Sequence, residues 1–120
     1  MMNDWAPTQV RIGATAWDLE FVDHIAGGGT AETAYWEGKI YIAEETPPGR
    51  WLPIVLHEIL EVLNLQYGDA LNLEHYQINV LAENLAQIIR DNIELILRLV
   101  RENGAKGKEE VRESPVDQGA

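Results

Sequence analysis

The chain has 120 residues, 46% of them hydrophobic, which is material for one domain with a modest core and leaves no room for a second. It contains no cysteine, which excludes a disulfide framework, a thiolate metal site and a cysteine nucleophile, so any metal must be held by His, Asp or Glu. A formal net charge of −11 argues against nucleic acid as a partner, because phosphate binding runs on Lys and Arg.

The acids are scattered, from Asp18 and Glu20 through Glu44 and Glu45 to Glu109 and Glu110, so a surface imitating DNA is the weaker reading of that charge. Met1 to Trp5 lacks the basic and apolar regions of a signal peptide, and no apolar segment approaches the ~18 residues needed to span a bilayer. A soluble cytoplasmic protein without a membrane partner is expected.

The first third reads as strands. Gln9–Ile12 and Trp17–Val22 alternate apolar with polar residues, and Gly13-Ala14 fits a turn between them. Gly27-Gly28-Gly29 marks a loop, without the Lys-Ser/Thr or the strand-to-helix setting of a phosphate-binding loop. Thr33–Trp36 and Lys39–Ala43 flank Glu37-Gly38, which predicts a tight hairpin and three or four antiparallel strands in all.

Helices follow. Pro47-Pro48-Gly49 closes the sheet region, and Pro53 is tolerated only in the first turn of a helix from about Trp51 to Asn64. At 100° per residue, Trp51, Leu52, Val55, Leu56, Ile59, Leu60, Val62 and Leu63 fill one arc, and Arg50, His57, Glu58, Glu61 and Asn64 gather opposite. A short connection with Gly68 and Asp69 leads to Asn72, a good N-cap for a second, antiparallel helix with Ile78, Leu81, Leu85, Ile88 and Ile89 as its core stripe. The pattern continues through Ile93, Ile96, Leu97 and Val100 to Asn103-Gly104, as one helix or as two parted at Asp91-Asn92. The stripe from Ile93 to Val100 packs either internally or against a second copy, which leaves oligomeric state open. From residue 104 to 120 the sequence is polar and cannot offset its own ordering entropy, so residues 1–103 form the expected domain and 104–120 a disordered tail. The fold class is α+β: a small antiparallel sheet packed on an antiparallel helix pair.

The chemistry concentrates in His57-Glu58-Ile59-Leu60-Glu61. Residues four apart on a helix point the same way, so His57 and Glu61 can grip one ion, and Glu58, turned by about 100°, lies beside it. Zinc hydrolysis needs that division: three protein ligands, one position left for water, and a carboxylate to take the water's proton. In an antiparallel pair, His75 faces Glu61 and supplies the third ligand. Glu74 is the runner-up, Glu83 falls ~12 Å further along the second helix, and His24 sits by the glycine loop. The bland alternative is a solvated polar helix face with a surface histidine near a helix start.

The order of strands, glycine loop, strand Lys39–Ile42, proline connector and then Ile54-Val55-Leu56-His57-Glu58-Ile59-Leu60-Glu61-Val62-Leu63-Asn64 resembles the small zincin-like proteins encoded by bacteriophages, distant relatives of the ImmA/IrrE-type metallopeptidase domains. The segments His75–Ile78 and Leu81–Asn92 are similar to the helix that follows the motif there. The resemblance covers about residues 8 to 95. It implies a zinc-dependent peptidase of the bacterial host cytoplasm acting on a peptide or protein substrate, with Glu58 as general base and Lys39–Ala43 aligning an extended substrate. Tyr67 and Tyr76 are candidate oxyanion donors. This chain departs from the usual H-E-x-x-H in having Glu61 where the second histidine stands. With His75 recruited, the set is still two imidazoles and one carboxylate, permuted. The rival reading is a non-catalytic, acidic protein-interaction module, metal-stabilised or metal-free.

Overall fold

The computed structural model describes residues 8–113, with side chains described through residue 104. Four strands and three helices follow one another: β1 (Gln9–Ile12), β2 (Thr15–Val22), β3 (Ala31–Ala34), β4 (Lys39–Ala43), α1 (Trp51–Gln66), α2 (His75–Asp91) and α3 (Ile93–Glu113). None of the described helices is long and apolar enough to cross a membrane. The chain divides into two compact units at residues 86/87, within α2.

In the first unit the sheet has the order β1-β2-β4-β3. The α+β class is as expected, but the sheet is mixed: β1 and β3 run antiparallel to their neighbours, whereas β2 and β4 run parallel, with Leu19 opposite Ile40 and Phe21 opposite Ile42. The cause lies in residues 23–30, which carry the chain past the sheet edge instead of turning it back beside β2. Gly27 and Gly28, at φ +91° and +88°, take backbone conformations that side chains resist. β4 then enters between β2 and β3.

The β3–β4 connection is also longer than the two-residue turn expected at Glu37-Gly38. Tyr35–Glu37 form a turn of 3₁₀ helix that Gly38 ends in the left-handed region. Tyr35 leaves the strand because its ring packs against Trp17, with centroids 5.4 Å apart. Ile12, Trp17, Ile40 and Val62 form the core cluster, joined by Leu19, Ile59 and Leu63, so the sheet and α1 bury one another's apolar faces.

α1 begins where the sequence predicts, with Pro53 in its first turn, and runs two residues beyond Asn64. The polar arc assigned to it is not a solvent face. Glu58 is 8% exposed, and His57, Glu61 and Asn64 are half-buried, because β3 and α2 flank that side of the helix.

The start of α2 differs from expectation. Asn72 sits at φ +44° in the connector and does not cap. Glu74 takes that role: its carbonyl accepts from the Gln77 and Ile78 amides, and its own amide donates to the Gln77 side chain at 2.7 Å. Asn64 reaches across from α1 and holds Leu73 by two hydrogen bonds, to its carbonyl at 3.0 Å and from its amide at 2.8 Å. The buried stripe of α2 is Ile78, Ala82 and Ala86, not the expected Leu81 and Leu85, which are exposed. Ala82 and Ala86 are almost fully covered, and the leucines are turned one position away from that face.

In the second unit, α2 and α3 are separate helices parted at Asn92, whose side chain donates to the Ile88 carbonyl at 2.8 Å. α3 does not stop at Asn103-Gly104 but runs on to Glu113. The glycine lowers helix propensity by about 1 kcal/mol without forbidding the helix, and Ala105, Lys106, Lys108, Glu109 and Glu110 are good helix formers. The rest of the expected tail, residues 114–120, lies outside the described residues.

Candidate metal centre

Two helices and one strand position the candidate residues. His57 and Glu61 are one turn apart on α1, and their side chains meet, His57 Nε2 to Glu61 Oε2 at 3.1 Å. His75 is the first residue of α2, fixed there by the Asn64–Leu73 bonds and the Glu74 cap, and its Nδ1 lies 3.5 Å from the same Glu61 oxygen. Further along, Glu83 of α2 takes a bidentate ion pair from Arg50, which immediately precedes α1, at 3.2 and 2.5 Å. The pairs His75–Glu61 and Glu83–Arg50 follow from the antiparallel orientation of the two helices within this unit.

The three residues form the one metal-capable cluster among the described residues. One donor atom from each of His57, Glu61 and His75 lies within 4.8 Å of the other two, and the imidazoles meet edge to face with centroids 5.1 Å apart. The structure thus brings together the trio that the sequence singles out. Glu74 and His24 stand outside it. Glu74 caps α2, and His24 is exposed in the loop after β2. Tyr76 is exposed and, like Tyr67, does not line the cavity beside the cluster.

That cavity, of about 340 Å³, is walled by Gly29, Thr30 and Ala31 on one side and by Asn79, Ala82 and Glu83 on the other. His57, Glu58 and His75 all border it. Glu58 points toward β3, where the Thr33 hydroxyl donates to its Oε1 at 2.5 Å. Burial raises the Glu58 pKa, and the Thr33 hydrogen bond and the nearby His57 work against that shift by favouring the carboxylate. The result is a shielded carboxyl group, oriented by one hydroxyl and adjoining two imidazoles.

The expectation that Lys39–Ala43 receives an extended partner is overturned, since β4 is paired on both sides, to β2 and β3. β1 and β3 are the outer strands of the sheet, and α1 contacts β3 more extensively than β1. Sequence reasoning also missed Thr33, Asn64 and Arg50. No local pattern marks Thr33, whose partner lies 25 positions away. Asn64 and Arg50 were visible only as members of the α1 polar arc.

Comparison of the chain with protein-family models, with curated proteins and with solved structures gave no match.

Proposed function

We propose that this protein binds a zinc ion through His57, Glu61 and His75 and hydrolyses peptide bonds, with Glu58 as the general base. The observation that carries the reading is the meeting of three donor atoms from two helices beside a cavity that Glu58 also borders. Donors held about 2.0–2.1 Å from a tetrahedral zinc lie about 3.4 Å apart. The two edges to Glu61, at 3.1 and 3.5 Å, already have that length. Two imidazoles and a carboxylate are also a donor set that zinc favours over magnesium or calcium, which prefer oxygen. The resemblance to phage zincin-like proteins agrees with this assignment.

Zinc would supply a Lewis acid that makes a bound water acidic near neutral pH. The chain's own residues do the rest. Glu58, shielded from bulk water and raised in pKa, accepts the proton and passes it toward the leaving amine. Thr33 fixes the orientation of that carboxyl group. The cavity between the glycine loop and α2 receives the substrate chain.

A metal-stabilised binding module is the second reading. It is favoured by the 71% exposure of the His75 side chain, which would leave an ion close to bulk solvent rather than in the water-excluded setting that catalysis uses. The test is metal content with turnover. The purified protein is expected to carry one zinc per chain, lost in His57→Ala and in His75→Ala, while Glu58→Gln keeps the metal and abolishes cleavage of a peptide library. Zinc retained in both histidine variants overturns the site. Cleavage undiminished in Glu58→Gln overturns the base, and a metal-loaded wild type that cleaves nothing leaves the binding module.

A further inference from the structure

The second unit carries an apolar helix face of its own. At 100° per residue, Ile93, Leu95, Ile96, Leu97, Leu99 and Val100 of α3 occupy an arc of about 200°. Ile96 is half-buried, and the other five are 43–63% exposed. A helix apolar over more than half its circumference is one that is covered, because isolated helices draw their stability mainly from tertiary packing.

Charge indicates what covers it. Residues 1–86 hold 13 Asp and Glu against 3 Lys and Arg, whereas residues 87–120 hold 7 against 6. Nearly all of the net charge of −11 therefore lies outside the segment that bears the apolar face. Two copies repel through their first 86 residues but not through α3, where Glu94 and Glu102 are balanced by Arg98 and Arg101. A strongly basic partner would be drawn to the acidic part of the chain instead. The apolar area on α3 is on the order of 500 Å² per copy, about 1,000 Å² for a pair, which reaches the size of a specific interface.

We propose that α3 is a self-association surface whose occupant is the same face of a second copy of this chain. The absence of cysteine makes the test clean. Sedimentation equilibrium of the full chain at about 100 μM, above the μM dissociation constants typical of weak interfaces of this size, is expected to give twice the chain mass of 13.5 kDa. Leu95→Glu/Leu99→Glu is expected to return the single-chain mass, with a loss of far-ultraviolet helix signal no larger than that of α3 and a cooperative thermal melt retained. Ile96→Cys, at the centre of the arc, is expected to form a dimer with a short bis-maleimide. A monomeric wild type overturns the proposal. So does a dimer that survives the double substitution, or a double variant that unfolds while the wild type is a monomer, which means that the chain covers this face itself. If the wild type is dimeric and the double variant unfolds, the cross-link at position 96 decides, and its absence overturns the proposal.

Discussion

Thr33 on the outer strand β3 and Glu58 on α1 are joined by a 2.5 Å hydrogen bond, which ties the sheet to the candidate site. The donor is a hydroxyl, and the acceptor is a carboxyl group 8% exposed, so removing the hydroxyl strands a buried oxygen. Thr33→Val is expected to destabilise the fold by about 1–3 kcal/mol in urea denaturation, while Thr33→Ser, which keeps the donor, stays within about 1 kcal/mol of wild type. Thr33→Val keeps the methyl group and loses the donor, whereas Thr33→Ser does the reverse, so a loss in Thr33→Ser as large as that in Thr33→Val would show that the hydroxyl is not the dominant contribution.

The raised pKa of Glu58 makes stability depend on pH. A carboxyl group whose folded pKa exceeds its unfolded value binds its proton more tightly in the fold, so stability falls as pH rises from the unfolded pKa through the folded one and then levels off. Glu58→Gln removes this dependence. In the presence of a chelator, the gain in Tm of Glu58→Gln over wild type is expected to be larger at about pH 7.5 than at about pH 4. A gain independent of pH would show that burial does not shift this group.

Metal binding is linked to folding, because the trio is assembled only in the native state. Added zinc at about a hundred times its dissociation constant is expected to stabilise wild type by about 2.7 kcal/mol, and chelation to reverse this. In His75→Ala the effect is expected to shrink to a fraction of that, measured by thermal melts across a zinc titration.

Asn64 is expected to matter for the metal without touching it. Its two bonds to Leu73 set where α2 begins, and His75 follows two residues later. Asn64→Ala leaves both Leu73 backbone groups without this partner. It is expected to cost about 1–3 kcal/mol of stability and about tenfold in zinc affinity, the latter read by competition with a chromogenic chelator.

The Arg50–Glu83 pair has bidentate geometry but side chains about half exposed, and solvent screens it. A double-mutant cycle with Arg50→Gln and Glu83→Gln is expected to give a coupling below about 1 kcal/mol that weakens further in 1 M salt.

The strands and helices that hold the site were legible because their signals are local. Alternation marks Gln9–Ile12, a proline in the first turn marks the start of α1, and the i, i+4 spacing of His57 and Glu61 needs only a helix. The trio with His75 was legible too, because short helix connections make antiparallel neighbours and so restrict which residues can meet. What escaped depends on pairing across distance. The parallel register of β2 and β4 is set by residues 23–30, whose path no alternation pattern encodes. The inner face of α2 was misread because leucine outweighs alanine in any hydrophobicity pattern, whereas the covered positions are Ile78, Ala82 and Ala86. The cap at Glu74 was missed because a helix can be closed by a backbone carbonyl and a glutamine three residues on.

Ile40 and Ile42 are fully enclosed, on a strand held by ladders on both flanks. Opening that strand means breaking two sets of backbone bonds at once, so its amides open only with the whole sheet. In native-state deuterium labelling β4 should be the last segment to take up solvent isotope, at a rate that reports global unfolding, while the outer strand β3 exchanges earlier through fraying of its margin.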